Sequence, residues 1–464
     1  MRIRFTALVA LLGVWALVAQ PTAQQAAQGP DFSKIDAIVR QEMQQAQTPG
    51  AAVAAVYGDR IVYSRGFGVA NVETGEAVRP EMVFRLGSTT KMFTAAAVVL
   101  LAEQGKLKLS DPIGTHIKGL TPNLARLTAD QLLSHQSGIL DEAPMFGSHD
   151  DEALKREVAG WTDTRFFAEP GQVYSYSNPG YWLAGLLAET VGAQPFADQV
   201  AKTVFEPLGM TRSTFRPTLA MTFPLAQGHD LVNNTPRIIR PAANNSASWP
   251  AGSIYSNVMD LSKWMMAFVS GGLVDGQRVL PAGVFATMTV PRVKIPGSLQ
   301  RYGYGVQVGD VWGGAQIVEH GGSRSGYGSV IRMVPEKKFG VVVLANRTGV
   351  SLTRTANAVM EAVLGPQGRR GDTVLIGTPL TAAQQKAVLG VYSQGTRQME
   401  IVAAADGLAL RQGGRDTALK FQGALAGGGE FYLMAGTTRY VVVTDAAGAP
   451  LFLHSGGRSW RKVK

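Results

Sequence analysis

Gly87-Ser88-Thr89-Thr90-Lys91 opens the stretch that decides the fold, and an apolar body over 92–101 follows it directly. That body is apolar almost all round, which predicts a fully buried helix from about residue 88 to 104. Residues three apart on a helix are neighbours on one face, so Lys91 can place its amine beside the Ser88 hydroxyl. A serine hydroxyl attacks once a base takes its proton, and burial can lower the pKa of a lysine enough for that task. The helix N-terminus adds backbone N–H donors where an oxyanion would form.

Two later segments carry groups that suit the same chemistry. Tyr176-Ser177-Asn178 lies in a loop dense in Tyr, Ser and Asn. A phenol beside an ammonium ionises more easily and can act as a base, while an amide can hold both a lysine and a substrate carbonyl. His320-Gly321-Gly322-Ser323 ends a predicted strand, where the glycines allow a close approach and an exposed N–H can complete an oxyanion hole. Taken alone, Ser88 is also explained as a helix cap and Tyr176 as a packed loop aromatic.

These three segments together resemble the serine β-lactamase and penicillin-binding-protein superfamily, nearest to its class C-like esterases and carboxypeptidases. The motifs that carry the resemblance are Ser88-Thr-Thr-Lys91, Tyr176-Ser-Asn178 and His320-Gly-Gly322, in the order typical of the superfamily. Further segments resemble its hallmarks at 132–138, 206–210, 250–256 and 302–305. The resemblance covers about residues 31 to 364.

The resemblance implies a role for each matched residue. Ser88 would attack the acyl carbon of the substrate, and Lys91 would take or relay its proton. Tyr176 would act as general base in acylation and would activate the water in deacylation. Asn178 would hold Lys91 and the substrate carbonyl. The oxyanion hole would consist of the backbone N–H groups of Ser88 and Ser323.

His320 departs from the superfamily pattern, and it is assigned with Gly322 to substrate binding. β-Lactamases of this shape carry Lys at the position of His320, and that Lys offers a permanent cation to a substrate carboxylate. A neutral imidazole with a pKa near 6.5 offers less at pH 7. The departure favours esterase or peptidase activity over β-lactamase activity. Arg324 is an alternative source of a cation.

The pattern of apolar residues predicts an α/β (α+β sandwich) fold of the β-lactamase/transpeptidase-like kind. An antiparallel sheet built from both ends of the main domain is flanked by helices, with a mostly helical insert over about 110–250. Helices are predicted over 31–47, 128–133, 181–191, 195–204, 260–269 and 353–364. Strands are predicted over 51–57, 61–69, 302–308, 315–319, 329–334 and 340–345.

A composition break at 365–372 divides the predicted main domain, 31–364, from a second domain over 373–464. The second domain consists of short alternating segments separated by Gly and Asp turns, which predicts a small all-β, barrel-like module of roughly 80 residues. It resembles the lipocalin-like modules that accompany this superfamily. The alternating segments are 400–403, 408–411, 431–435, 440–444 and 451–454.

Residues 1–27 have the layout of a secretory signal peptide. Arg2 and Arg4 precede an apolar run over 5–19, which is shorter than the roughly 20 residues of a spanning helix. An uncleaved anchor is the alternative reading of this segment. We therefore expect an exported protein, periplasmic or secreted, with no transmembrane segment once the signal is removed.

Composition narrows the classes of function further. The 464 residues include no cysteine, which excludes disulfides and thiolate sites, and His116, His149, His229 and His454 lack metal-ligand spacing. We expect no metal and no cofactor. The net charge is +10, but Lys and Arg are scattered, so a nucleic-acid partner is not expected.

The hypothesis that follows is a serine hydrolase that works through an acyl-enzyme on small esters, amides or D-amino-acid peptides. Its substrate would be a small molecule or a peptide, with cell-wall peptides among the candidates. A β-lactamase proper is one alternative. A catalytically idle envelope-binding protein on the same scaffold is another. In a third alternative the β-module does the binding and the large domain is a passenger.

Overall fold

The computed structural model describes residues 30–367, 375–377, 379–425 and 429–463. The predicted signal peptide, 1–27, and residues 368–372 of the predicted linker lie outside these ranges. The helices are α1 (Ile35–Gln45), α2 (Thr90–Glu103), α3 (Pro122–Ala125), α4 (Ala129–Leu133), α5 (Ala153–Ala159), α6 (Asn178–Gly192), α7 (Phe196–Val200), α8 (Pro217–Ala220), α9 (Trp249–Gly252), α10 (Val258–Val269), α11 (Ala282–Thr289), α12 (Thr353–Leu364) and α13 (Ala382–Val388).

An eight-stranded antiparallel sheet forms the centre of the large domain, in the order β2-β1-β14-β13-β12-β11-β10-β9. The two ends of this domain meet where β1 pairs with β14, from Ala51 opposite Ala345 to Tyr57 opposite Phe339. The strands of the large domain are β1 (Gly50–Tyr57), β2 (Arg60–Gly68), β3 (Phe84–Arg85), β4 (His229–Val232), β5 (Thr235–Ile238), β6 (Tyr255–Ser256), β7 (Leu273–Val274), β8 (Gln277–Arg278), β9 (Val293–Lys294), β10 (Arg301–Tyr302), β11 (Gln307–Trp312), β12 (Ala315–Arg324), β13 (Tyr327–Val334) and β14 (Phe339–Ala345).

Apolar layers cover both faces of this sheet. Strands β1 and β14 read almost continuously apolar, as expected of strands buried on both faces. One face packs on the core that contains α2, α6 and α10, and the other packs on α1 and α12. Helix α2 is buried at every position from Thr90 to Leu101, so the predicted buried helix is confirmed. The predicted α/β fold is confirmed with it.

Two predicted elements differ from the structure in kind, and others differ only in where they begin or end, such as β12, which extends to Arg324 instead of ending at residue 319. The single strand expected over 302–308 is wrong, because the chain leaves the sheet after β10 and re-enters it at β11. Gly305 causes the break: its φ is +69°, and a Cβ there would lie 2.6 Å from the Lys91 carbonyl oxygen. The helix expected over 195–204 is α7 followed by a π-helical turn, Ala201–Phe205.

The second domain contains an eight-stranded closed antiparallel barrel. Its strands run in the order β19-β18-β17-β16-β23-β22-β21-β20, and pairing of β19 with β20 closes it. The short strand β15 (Leu375–Ile376) adds to the outside of β19. The barrel strands are β16 (Gly390–Gln394), β17 (Arg397–Ala404), β18 (Gly407–Gln412), β19 (Arg415–Leu425), β20 (Glu430–Ala435), β21 (Thr438–Thr444), β22 (Pro450–Ser455) and β23 (Arg458–Lys462).

The barrel packs directly on the large domain. Phe452 on β22 is 1% exposed and shares an apolar cluster with four residues of the large domain: Leu140, Phe167, Ala168 and Val173. Burial of a phenylalanine side chain contributes roughly 1.5–3 kcal/mol. This contact positions the β22–β23 hairpin over the site described next.

Candidate active site

Ser88 and Lys91 lie at the start of α2. Ser88 belongs to the 3-10 turn Gly87–Thr89 that leads into the helix, and its Oγ is 3.4 Å from Lys91 Nζ. The Lys91 amine is fully buried and donates to Asn178 Oδ1 at 2.8 Å and to the Ala251 carbonyl oxygen at 2.7 Å. Burial lowers the pKa of this amine well below its ordinary value of 10.5, although the charge of Asp141 acts in the opposite direction.

This geometry suits a neutral amine. A neutral lysine has two N–H donors and one lone pair, and its two donors are taken by Asn178 and Ala251. The third direction faces Ser88 Oγ. A lone pair pointing there can accept the serine proton.

Tyr176 covers the same amine from the other side. Lys91 Nζ lies 4.7 Å from the centroid of the Tyr176 ring, and the phenol interacts with the Ser88 hydroxyl. Burial raises the pKa of Tyr176 above its ordinary value, while the Ser88 contact and the charge of Arg458 lower it. The net shift is upward, which favours a neutral phenol.

His135 supports this tyrosine. Its imidazole is fully buried, and its centroid lies 4.2 Å from that of the Tyr176 ring. The Nδ1 atom accepts the Ser177 backbone N–H at 3.1 Å. Burial lowers the pKa of His135 well below 6.5, so the ring is neutral.

Asn178 is held in place by Asp141, a residue that the sequence analysis missed. Asp141 Oδ1 accepts the Asn178 backbone N–H at 2.8 Å and the side-chain Nδ2–H at 3.0 Å. These two bonds turn the amide oxygen of Asn178 towards Lys91. The place of Asp141 just beyond the motif-like segment 132–138 was the signal that could have singled it out.

Arg458 of the barrel also reaches this site, and the sequence analysis missed it as well. Its Nε donates to Asp141 Oδ2 at 2.7 Å, and its Nη2 lies 2.5 Å from the same oxygen. The preceding residue, Gly457, accepts the Tyr176 backbone N–H at 2.9 Å. Nothing in the local sequence of the barrel signals this contact with a residue 317 positions away.

The His-Gly-Gly-Ser segment packs directly against the turn that carries Ser88. A Cβ on Gly322 would lie 2.0 Å from the Leu86 carbonyl oxygen, and a Cβ on Gly87 would lie 2.6 Å from the Ser323 backbone N. Gly87 also has a φ of +60°. Glycine at both positions therefore lets the backbones of Ser323 and Ser88 meet at one wall of the cleft.

His320 is buried in this wall as a neutral ring. Its Nδ1 lies 2.6 Å from the Gly321 carbonyl oxygen, which can only accept, so Nδ1 carries the proton. Its Nε2 then accepts from the Tyr302 hydroxyl at 2.7 Å. Burial lowers the pKa of His320 to about 3, and the charge of Lys91 contributes. The ring supplies no positive charge at neutral pH.

Arg324 supplies a cation at the same wall. Burial lowers the pKa of Arg324 to about 9, with the charge of Arg85 as the second cause, so the guanidinium is charged at neutral pH. Its Nη2 donates to Ser248 Oγ at 3.3 Å. Its Nε has no hydrogen-bond partner among the described residues.

All of the predicted site residues come together around one cleft of about 920 Å³. Lys91 lies beneath its floor, and the others line it: Ser88, Tyr176, Asn178, His320, Gly322 and Ser323. Arg324, Arg458 and Met145 line the cleft as well.

Comparison with known proteins identifies the family. The family model "Beta-lactamase" matches residues 35–364, and the chain belongs to the β-lactamase family. Penicillin-binding protein 4 of Amycolatopsis lactamdurans is 30% identical over 313 residues, which cover 64% of this chain and 81% of that protein. Protein flp of Staphylococcus aureus (strain COL) is 25% identical over 324 residues, 68% of this chain. The aligned part spans 62% of the length of Protein flp.

Solved structures share the fold at low sequence identity. SurE has a TM-score of 0.76 and 22% identity, with 93% of this chain and 99% of that chain covered. The β-lactamase/D-alanine carboxypeptidase of Pseudomonas syringae has a TM-score of 0.59 and 20% identity, with 72% and 98% covered. In the part of the chain that the structure describes, no helix is long and apolar enough to cross a membrane.

Proposed function

We propose that the chain is a serine hydrolase that forms an acyl-enzyme on Ser88. The observation that carries the proposal is the buried Lys91 amine, whose two donors are occupied while its third direction faces Ser88 Oγ at 3.4 Å. Burial favours the neutral amine, which is the form that can act as a base. An idle envelope-binding protein would need none of this arrangement.

Acylation follows from the positions of these groups. Lys91 takes the Ser88 proton while Oγ bonds to the acyl carbon, and the carbonyl oxygen becomes an oxyanion. The backbone N–H groups of Ser88 and Ser323 stabilise that charge. The intermediate collapses as the bond to the leaving group breaks, and the Lys91 proton passes to that group. In deacylation, Lys91 takes a proton from the water that attacks the acyl carbon, and it returns a proton to Ser88 Oγ as the bond between Oγ and the acyl carbon breaks.

We propose for Tyr176 a different role from the one that the resemblance implied. Its raised pKa makes a phenolate base costly, whereas Lys91 is shifted towards its basic form. We assign Tyr176 as a neutral relay beside Ser88. It gives its proton to the leaving group while it receives the one held by Lys91.

The substrates that fit best are small esters, amides and peptides with a D-amino acid. The neutral, hydrogen-bonded His320 offers no charge to a substrate carboxylate, which places β-lactamase activity second to the hydrolysis of neutral esters and amides. The cation Arg324 at the cleft wall is the observation that favours that second candidate. SurE, which was solved with D-Leu, and the D-alanine carboxypeptidase make D-amino-acid peptides worth testing first.

The test is a substrate panel on the wild type and on Ser88→Ala. We expect turnover of p-nitrophenyl esters or of D-Ala-terminated peptides, slow acylation by a β-lactam, and no turnover by Ser88→Ala. Rapid β-lactam turnover would establish the β-lactamase alternative. Absence of turnover and of acylation on folded protein would favour the binding hypotheses, with either the large domain or the barrel as the binding part.

We further propose that the protein acts outside the cytoplasm. The support is the charged, then apolar layout of residues 1–19, which is typical of a secretory signal. N-terminal sequencing of the exported protein would test it, with cleavage near residue 27 as the expected result. Retention of the whole segment in the membrane fraction would support the anchor instead.

A further inference from the structure

The β22–β23 hairpin of the barrel projects into the active site of the large domain. Ser455 pairs with Arg458, so the turn between the strands has only two residues, Gly456 and Gly457. Both have positive φ, +56° and +79°, as a type I′ turn requires. This tight turn fixes the point at which Arg458 leaves the barrel.

The hairpin is bonded to the segment that carries Tyr176. Its residue Ser459 is fully buried; the backbone N–H of Ser459 donates to Ser175 Oγ at 3.1 Å, and its hydroxyl donates to the Tyr174 carbonyl oxygen at 2.9 Å. The Gly457 carbonyl accepts the Tyr176 N–H at 2.9 Å. The hairpin and the Tyr176 segment are therefore fixed to each other.

Arg458 neutralises a buried carboxylate. Asp141 is 8% exposed, and among the described residues no other Lys or Arg lies within 4.0 Å of it. Loss of one partner from a buried ion pair leaves an uncompensated charge that moves towards solvent or gains a proton. Either change alters the two bonds by which Asp141 orients Asn178.

We propose that Arg458 is a positioning residue for the catalytic lysine and that the barrel hairpin is part of the active site. Arg458 fixes Asp141, Asp141 fixes the Asn178 amide, and Asn178 holds the Lys91 amine beside Ser88. The hydrogen bonds along this chain are 2.7, 3.0 and 2.8 Å long, and Ser88 Oγ follows at 3.4 Å. The inference rests on the proposed function of Ser88 and Lys91.

The two members of the ion pair act on Lys91 with opposite sign. The charge of Asp141 raises the pKa of the lysine, and that of Arg458 lowers it. The other titratable or charged groups around this amine are Arg324, His135, His320, Tyr176 and Tyr181. None of these groups is itself removed by the substitutions, although the charge of Arg458 also lowers the pKa of Tyr176 and of His135. A merely structural role for Arg458 would not produce opposite shifts.

The experiment measures the rate at which a fluorophosphonate labels Ser88, as a function of pH, in the full-length protein. The variants are Arg458→Gln, Asp141→Asn and the double variant, and the exposed barrel residue Arg415→Gln is the matched control. We expect each single variant to slow labelling about tenfold or more, since each breaks charge-assisted bonds. The double variant should be no slower than the worse single one, because both act through Asn178.

The labelling rate should rise with pH as Lys91 loses its proton. This rising limb should move to higher pH in Arg458→Gln and to lower pH in Asp141→Asn. Arg458→Lys keeps the charge with poorer geometry, so its limb should stay in place while its rate falls. If Arg458→Gln does not fold, the Arg458→Lys variant replaces it in the experiment. Wild-type rates and limbs in the Arg458 variants, or additive losses in the double variant, would overturn the inference. A wild type that is not labelled at Ser88 would instead overturn the proposed function.

A direct substrate contact by Arg458, which lines the cleft, predicts a different pattern. Arg458→Gln would then raise KM for anionic substrates and leave fluorophosphonate labelling unchanged. That result would overturn the positioning role.

Discussion

At the scale of single residues, the surroundings of Lys91 determine the chemistry. A lysine ammonium enclosed by Asn178, Ala251 and Ser88 would have three acceptors for its three protons, yet it would lie in a fully buried position. Burial makes that charge costly, and the Asp141 carboxylate offsets only part of the cost. The neutral amine is therefore accessible at a pH where a solvated lysine remains protonated.

We expect kcat/KM for a neutral ester to rise with pH along a limb well below the ordinary lysine value of 10.5. Only the neutral amine can take the Ser88 proton, and the lowered pKa of Lys91 moves that form to lower pH. A profile from about pH 5 to 10 measures the limb, since it spans the range below an unperturbed lysine. Lys91→Arg, which stays protonated, is the inactive control. A wild-type limb close to 10.5 would be inconsistent with a buried base.

We expect substitution of Arg324 to affect the turnover of negatively charged substrates much more than that of neutral ones. We expect Arg324→Gln to lower kcat/KM about tenfold or more for a D-Ala-terminated peptide with a free carboxylate, because it removes a charge-assisted partner. The same variant should change kcat/KM for a neutral p-nitrophenyl ester about twofold or less, as expected for loss of a contact that the ester does not make. Equal losses on both substrates would show that Arg324 supports the structure of the cleft instead.

At the scale of elements, the close contact between β12 and the start of α2 forms the wall of the cleft where we propose the oxyanion hole. Gly322 and Gly321 make a matched pair: a Cβ on Gly322 would lie 2.0 Å from the Leu86 carbonyl oxygen, whereas one on Gly321 has its nearest neighbour at 3.9 Å. We expect Gly322→Ala to slow Ser88 labelling by about tenfold or more, the loss expected when an oxyanion donor is displaced. Gly321→Ala should label at the wild-type rate. Thermal melting of both variants separates misfolding from displacement, and equal labelling by the two would contradict the proposed wall.

Local pattern predicted some of these elements better than others. The buried helix α2 followed from its uniformly apolar sequence, and the meeting of the two ends of the large domain in one sheet followed from the apolar strands at each of those ends. The break between β10 and β11 did not, because it depends on the contact of Gly305 with the Lys91 backbone, which only the folded chain reveals. The π-helical turn after α7 likewise has no signal in a pattern that reads as helix throughout.

At the scale of the whole molecule, the barrel and the large domain share an apolar cluster and an ion pair. Phe452, on the first strand of the hairpin that carries Arg458, is buried against Leu140, Phe167 and Val173. We expect Phe452→Ala to cost about 3–5 kcal/mol of unfolding free energy. We expect the wild type to unfold in a single calorimetric transition. In Phe452→Ala this transition should split into two, and activity should be lost at the first of them. A wild type that already unfolds in two independent steps would contradict this coupling.

Contacts between residues that are far apart in the sequence are the part of this site that the sequence alone does not reveal. The groups near the motifs, from Ser88 to Ser323, could be predicted because short segments carry them in a recognisable order. Asp141 and Arg458 could not be paired, because the two residues are 317 positions apart and their contact depends on how one domain lies on the other. The roles proposed for the predicted residues, including that of Tyr176 as a relay, depend on how deeply each side chain is buried, which the sequence alone does not show.

The measurement that tests the central claim most directly is intact-mass spectrometry after exposure to a fluorophosphonate. We expect a single adduct on the wild-type protein, located by peptide mapping to Ser88. We expect no adduct on Ser88→Ala, and none on Lys91→Met during the same exposure. No adduct on folded wild-type protein, or the same adduct on Ser88→Ala, would contradict an activated serine at this site.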